Sequence, residues 1–250
     1  MTDSSKLPVI IVPARLASTR FPKKLLAQVR GKPLILWTAE RISRIAPEFQ
    51  LYFAVDGLEI GSVLKTAGFN VIETEASLAS GTDRIASANQ IINANSIINV
   101  QGDEPLIERV HLLSLVEALK QKEASMSTLA VPFTNEQDYL DPNQVKVVCD
   151  QNGYALYFSR APIPHTRTLD DQVNTETTAL KHLGMYGYKA EFLKRFTSIP
   201  EGRLEKLEKL EQLRALESGA KISVSVVNSA TIGVDSIDDL KRFENHLDIE

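Results

Sequence analysis

Apolar positions in the first hundred residues fall into short continuous runs separated by stretches of helical spacing. Pro8 to Val12 is short, β-branched and followed by Pro13, which predicts a buried strand. A segment rich in Arg, Lys, Ser and Thr extends to about Lys32. Pro33 then opens a helical pattern through about Arg44, at a first-turn position that proline favours. Leu51 to Val55 predicts a second strand, Leu58 to Ala67 a helix, and Phe69 to Ile72 a third strand. Thr82 to Ile92 reads as a helix, and Ser96 to Val100 as a strand running into Gln101-Gly102-Asp103. Strands alternating with helices of this length point to a mostly parallel sheet covered on both faces.

The pattern then changes. Ser127 to Pro132, Val145 to Cys149 and Tyr154 to Phe158 are strand-like, and Asn152-Gly153 between the last two is a hairpin signal. His182 to Tyr188 alternates as a strand, with His182, Gly184, Tyr186 and Tyr188 on one face. A charged helix is expected over Leu204 to Glu217, a strand over Lys221 to Val227 and a helix over Ser236 to Leu247. Pro162 to Thr178 is polar, proline-bearing and aperiodic, and predicts a long surface loop. The expectation is an α/β protein: one Rossmann-like nucleotide domain over residues 1–250, its mostly parallel sheet covered by helices. A hairpin-containing insertion is expected at roughly residues 130–195.

Composition narrows the classes. The 250 residues are 43% hydrophobic and 24% charged, ordinary globular values, and the net charge of -4 argues against a nucleic-acid partner. No apolar run approaches the ~20 residues of a membrane span, and Met1 to Pro8 lacks the apolar core of a signal peptide. The single cysteine, Cys149, excludes an intrachain disulfide. A cytoplasmic protein without membrane contact is the expectation.

An acidic protein that handles an anion must concentrate positive charge locally. Arg15, Arg20, Lys23 and Lys24, with the hydroxyls of Ser18 and Thr19, do so directly after the first strand. Ligands of open α/β sheets sit beyond the carboxyl ends of such strands, and forked Arg contacts and mobile Lys charges suit a polyphosphate. The alternative is a solvated basic loop. Ser80-Gly81-Thr82-Asp83-Arg84 is a turn entering a helix, either a plain helix cap or an anion or ribose site. Asp103 at a strand's carboxyl end reads as a Mg²⁺ ligand or as an incidental loop acid, and Gln101 offers a paired donor and acceptor suited to a base edge. Asp235 precedes the last helix, where an acid is commonly a neighbour of the cap. Arg160, at the end of a strand, would suit a carboxylate through two parallel hydrogen bonds. Leucines at 204, 207, 210, 213 and 216 drift around a helix, so one narrow stripe cannot hold them. Glu211, four after Leu207 and seven after Leu204, shares their face, either as part of a surface salt-bridge helix or as a carboxylate with a partner or a role.

The order Pro-Ala-Arg-x-x-Ser-x-Arg-x-Pro-x-Lys over Pro13 to Lys24 resembles the nucleotide-binding signature of the CMP-Kdo synthetases, the 3-deoxy-manno-octulosonate cytidylyltransferases. Ser80 to Arg84, Gln101-Gly102-Asp103-Glu104-Pro105 and Gly233-Val234-Asp235 continue the family's order, so the resemblance spans Val9 to Asp235. Lys23 stands where the family usually has Gly, and Leu25 where it has Pro. The resemblance implies transfer of CMP from CTP to the anomeric hydroxyl of Kdo, with release of pyrophosphate, for lipopolysaccharide synthesis. It implies that Arg15, Ser18, Arg20, Lys24, Ser80, Gly81, Arg84 and Gln101 bind CTP, with Arg15, Lys24, Asp103 and Asp235 catalytic. Asp103 and Asp235, 132 positions apart (235 minus 103), would be paired as Mg²⁺ ligands. Arg160, His182, Tyr186, Glu211 and Gln212 would surround the acidic 2-keto-3-deoxy sugar, and a homodimer is expected. Two alternatives stay open: a Kdo-like sugar such as the 8-amino form as substrate, and a non-catalytic CTP or nucleotide-sugar binder. A dehydrogenase is disfavoured by the lack of a GxGxxG fingerprint.

Overall fold

The computed structural model describes residues 7–16, 21–165, 179–231 and 233–248. Its first elements are β1 (Val9–Ala14), β2 (Gln28–Val29), β3 (Lys32–Pro33), α1 (Leu34–Ile45), β4 (Leu51–Val55), α2 (Leu58–Thr66), β5 (Asn70–Glu73), α3 (Gly81–Ile92) and β6 (Ser96–Asn99). Then come α4 (Arg109–Leu119), β7 (Ala124–Pro132), α5 (Glu136–Leu140), β8 (Lys146–Cys149), β9 (Ala155–Ser159) and β10 (Leu180–Lys189). The chain continues through α6 (Ala190–Phe196), α7 (Arg203–Glu208), α8 (Gln212–Glu217), β11 (Lys221–Val226) and α9 (Ile237–His246). The α/β architecture agrees with the sequence pattern. Two compact units form, Met1–Leu112 with Thr231–Glu250, and Leu113–Ala230. The predicted hairpin lies in the second unit, which begins before residue 130 and ends after residue 195.

In the first unit four parallel strands lie in the order β6-β1-β4-β5. All six residues of β1 are buried, as expected of a strand covered on both faces, and this explains its unbroken apolar run. The chain moves from β1 outward to β4 and β5, then returns to place β6 on the other side of β1. The direction of winding therefore reverses between β1 and β6. Their carboxyl ends lead into Arg15 and Gln101, so the sequence's candidate loops sit at the switch point where open α/β sheets bind ligands. Helix α1 buries Leu34, Ile35, Thr38, Ala39 and Ile42, one face at helical spacing. Pro33 stands at its N-cap, one position ahead of the predicted first turn. Helix α9 belongs to the same unit. Its Phe243 packs with Val29, Leu34 and Val234 and meets Trp37 edge-on at 5.7 Å.

In the second unit the order is β11-β7-β10-β8-β9. Only β7 and β11 are parallel, and the other pairs are antiparallel. The β8–β9 hairpin turns at Gly153, whose φ of +78° explains a glycine there. Strand β10 carries a bulge: Leu183 pairs with Leu129 but Tyr186 pairs with Thr128, so Gly184 and Met185 are extra. The Thr128 hydroxyl faces the carbonyls of Leu183 and Met185 at 3.2 and 2.8 Å. Because two residues are inserted, the alternation keeps its parity, and the rings of His182, Tyr186 and Tyr188 follow one another at 5.5 and 6.0 Å.

The helix expected over Leu204 to Glu217 is two helices. Lys209, at φ 54°, takes the left-handed conformation that ends α7, and α8 starts after Glu211. The break solves the leucine drift by turning Leu210 and Leu213 into the core while Leu207 stays exposed. Glu211 therefore does not share a face with Leu204 and Leu207. The helices α4, α5 and α6 and the short β2–β3 pair have no counterpart in the pattern read above. Most of the loop expected over Pro162 to Thr178 lies outside the described residues. Among the described residues, no helix is long and apolar enough to cross a membrane.

Candidate active site

The described residues among those expected to bind nucleotide, Arg15, Lys24, Ser80, Gly81, Arg84 and Gln101, all belong to the first unit. Arg15 follows β1 directly and is exposed. The next residue, Leu16, donates its N–H to Asp56 Oδ1 at 3.2 Å, which fixes where the basic loop leaves the sheet. Ser18 and Arg20 lie outside the described residues. Lys23 adopts φ 52°, ψ 29°, a left-handed conformation that glycine occupies at no steric cost. Its ammonium pairs with the Glu59 carboxylate at 2.8 and 2.9 Å. Leu25 is buried and close to Gly102, where a Cβ would come within 3.3 Å of its methyls and 2.9 Å of Ile35 Cδ1.

Lys24 stands at the centre of this half. Its Nζ lies 2.5 Å from Asp103 Oδ2 and 3.0 Å from Asp235 Oδ1, so one ammonium bridges two carboxylates from distant parts of the chain. A backbone bond makes the meeting possible: Val234 donates its N–H to the Asp103 carbonyl at 2.9 Å. Burial works against the Lys24 charge, but the Asp103 and Asp235 carboxylates outweigh it and hold its pKa above the ordinary lysine value. Glu104 lies beside them. Its Oε2 is buried without a hydrogen-bond partner among the described residues. Burial, and then the negative charge of Asp103, push its pKa up to about 7 against a hydrogen bond from Thr231. A Cβ at position 233 would approach Glu104 Oε1 to 3.0 Å, so Gly233 permits this close packing.

Ser80 is the N-cap of α3 in a capping box with Asp83, and Gly81 opens that helix beside Pro13, to which a Cβ would come within 3.4 Å. Arg84 is 2% exposed. It donates to Thr74 Oγ1 at 2.5 Å and to the Glu75 carbonyl at 3.3 Å, and pairs with Asp56 at 3.9 Å. Burial lowers its pKa, Asp56 opposes this, and the Arg15 charge lowers it further. Asp56 thus links Arg84 to the base of the basic loop. Asp235 is the neighbour of a cap: Ser236 caps α9 with Asp239, and Asp235 donates its own N–H to the Asp239 carboxylate. Gln101 is half-buried at the end of β6.

The second unit gathers the expected sugar residues. Arg160 directly follows β9, where its N–H meets Glu208 Oε2 at 2.9 Å and its Nε meets the Glu208 carbonyl at 2.8 Å. His182 is buried between Phe158 and Tyr186, with ring centroids at 5.0 and 5.5 Å, and its Nε2 lies 2.9 Å from Thr128 Oγ1. The Thr128 hydroxyl has one proton and two carbonyls to satisfy, so the His182 Nε2 carries the hydrogen of their shared bond. Burial drives the His182 pKa down to about 3, which keeps the ring neutral. Burial, and then the charge of Glu211, push the Tyr186 phenol well above its ordinary value, so Tyr186 is a neutral donor close to Glu211. Gln212 is 4% exposed and its Nε2 has no partner among the described residues.

Asp56, Glu104, Lys146 and Glu208 have no assigned role in the sequence reading. Lys146 was the most visible of them, a lysine heading an apolar strand. Among the described residues, no group of three or more His, Cys, Asp or Glu side chains is placed to hold a metal. Two carboxylates suffice for Mg²⁺, which completes its shell with phosphate oxygens and waters, so Asp103 and Asp235 fit that ion.

Known proteins share the sequence and the fold of this chain. The cytidylyltransferase family model matches residues 9–222. The 3-deoxy-manno-octulosonate cytidylyltransferase of Syntrophotalea carbinolica is 46% identical over 242 residues, 95% of this chain and 97% of that protein. An 8-amino-3,8-dideoxy-manno-octulosonate cytidylyltransferase of Shewanella putrefaciens is 41% identical over 244 residues, covering 96% of this chain and 98% of its own. A CMP-2-keto-3-deoxy-manno-octonic acid synthetase solved with CTP superposes with a TM-score of 0.90 at 32% identity, over 98% of this chain and 99% of that one. The chain belongs to the CMP-Kdo synthetase family of cytidylyltransferases.

Proposed function

We propose that this protein transfers CMP from CTP to the anomeric hydroxyl of Kdo, releasing pyrophosphate and supplying CMP-Kdo for lipopolysaccharide synthesis. The observation that carries this reading is the Lys24 bridge between Asp103 and Asp235 at the switch point of the parallel sheet. The sugar hydroxyl oxygen gives up its proton to solvent and forms the new bond to the α-phosphorus, and the bond from that phosphorus to the pyrophosphate oxygen breaks. Arg15 and Lys24 bring positive charge to the triphosphate, so alignment and electrostatics provide most of the rate. Asp103 and Asp235 would hold Mg²⁺. Bound there, the ion would offset charge developing on the phosphate oxygens. Gln101 would face the base. Ser80 and Gly81 shape the turn nearby, and Arg84 supports the basic loop through Asp56. Arg160, Tyr186, Glu211 and Gln212 would bind the acidic sugar, with the neutral His182 ring backing Tyr186. The protein would act in the cytoplasm as a homodimer.

Asp103→Asn tests the assignment. Pyrophosphate release from CTP and Kdo should fall at least ~100-fold, the scale of losing one transition-state contact, while circular dichroism is unchanged. Undiminished turnover would overturn the assignment of Asp103. The 41% identity to the 8-amino enzyme motivates the second reading, and relative kcat/KM for Kdo and its 8-amino analogue separates the two.

A further inference from the structure

We propose that Lys146 and Glu208 are positioning residues for Arg160, bracketing it so that its remaining N–H groups receive the carboxylate of the acidic sugar. The inference rests on the reading of Arg160 as a sugar residue and extends it to two side chains that touch no substrate.

Nearly every fixed group of Arg160 is held. Glu208 accepts its backbone N–H and its Nε–H, and the Pro142 carbonyl accepts from Nη1 at 3.0 Å. The Arg160 carbonyl accepts from Lys146 Nζ at 3.0 Å, and the same ammonium donates to the Asp141 carbonyl at 2.7 Å. The neighbouring residues are tied into the same bracket: Ser159 donates its hydroxyl to Glu208 Oε1 at 2.6 Å, and the Ala161 N–H donates to Ser159 Oγ at 3.0 Å. Three separate segments, Asp141 to Lys146, Ser159 to Ala161 and Glu208, therefore converge on one arginine. Strand register maintains the arrangement, because Lys146 of β8 pairs with Ser159 of β9.

Lys146 is the unusual member. Its side chain is fully buried, and its ammonium donates to neutral backbone carbonyls. An interior ammonium is costly, and burial holds its pKa below the ordinary lysine value. A lysine kept at that cost fixes the carbonyl next to the Arg160 side chain. What Arg160 then offers is Nη2 and the second Nη1 hydrogen, which have no partner among the described residues. Paired N–H groups on one planar edge match the two oxygens of a carboxylate.

The test is steady-state kinetics on Lys146→Met, Glu208→Gln, Arg160→Ala and the double variant Lys146→Met/Arg160→Ala. Arg160→Ala and Lys146→Met should each raise KM for the sugar at least about tenfold, with KM for CTP within about twofold of wild type. The double variant should match Arg160→Ala alone, because the lysine acts through the arginine. If Lys146→Met does not fold, Glu208→Gln, which keeps side-chain volume, should still raise sugar KM about threefold or more with CTP unaffected. Equal rises in both KM values would reduce the bracket to general stability and overturn the proposal. An undiminished Lys146→Met effect on the Arg160→Ala background would overturn it as well. Unchanged sugar KM in Arg160→Ala would instead overturn the sugar-site reading on which the proposal stands.

Discussion

The substitution His182→Gln should remove part of the protein's sensitivity to acid. In the folded chain the ring is buried, with its pKa driven from the ordinary 6.5 down to about 3. The unfolded chain binds a proton on this side chain at a pH where the folded chain does not. The stability contributed by the neutral ring is therefore present above about pH 6.5 and lost as pH falls towards about 3. With ~1.4 kcal/mol for each pH unit between the two values, the loss is about 2 kcal/mol by about pH 5 and approaches ~4 kcal/mol near pH 3.5. The glutamine side chain would carry no such proton, and its amide can donate to Thr128 as the imidazole Nε2 does. Urea unfolding followed by far-UV circular dichroism, run near neutral pH and near pH 5, measures the difference. Wild type should lose ~2 kcal/mol more than His182→Gln between the two conditions. The NMR signal absent from the variant should show no titration above about pH 5. A His182 titration midpoint near 6.5, or a stability difference independent of pH, would refute the assignment of a buried neutral ring.

Lys24→Met should destabilise the nucleotide-free protein by ~1–2 kcal/mol by leaving two close carboxylates without their shared donor, and unchanged urea unfolding would rule out the bridge. Because the folded Lys24 pKa lies above 10.5, the bridge's contribution is present below that pH and fades as pH rises past the folded value. Lys23→Gly relieves left-handed strain of ~1–2 kcal/mol against ~0.4–1 kcal/mol of added unfolded-chain freedom, and the exposed Lys23–Glu59 pair adds little. The variant should therefore be at least as stable as wild type and equally active, and a fall in thermal midpoint would contradict this. Gly102→Ala should cost ~1–3 kcal/mol by overpacking. Adding Ile35→Val, which removes the Cδ1 that the new methyl would meet, should recover part of the loss, and strict additivity in urea unfolding would refute the clash.

The strands of the first unit and the placing of Asp103 were legible because a β-branched run followed by a Gly-bearing turn has a local signature. The partner of Asp103 was legible only through family resemblance. Its position depends on one backbone bond, Val234 to Asp103, which leaves no periodic trace. Lys23 departs from the family's glycine yet adopts a left-handed angle that glycine takes without strain, and its side chain is directed to Glu59, which composition could not indicate. The break at Lys209 was hidden because a left-handed lysine looks like any other helix former. Arg84 shows the limit of reading charge: as sequence it is a cation near a phosphate loop, whereas its guanidinium bonds to Thr74 and Glu75 and pairs with Asp56. Lys146 and Glu208 escaped for the opposite reason, since patterning places charged residues at the surface.

The return of residues 231–250 to the first unit has a consequence for synthesis on the ribosome. Residues 113–230 emerge and can fold before Asp235 exists, while Lys24 and Asp103 wait with one carboxylate missing. Val29, Leu34 and Trp37 meanwhile lack the Val234 and Phe243 side chains that cover them. A nascent chain stalled before this segment would display an apolar patch to chaperones and proteases and would have no completed carboxylate pair. Order of translation thereby places the second carboxylate of the Lys24 bridge after the whole of residues 113–230.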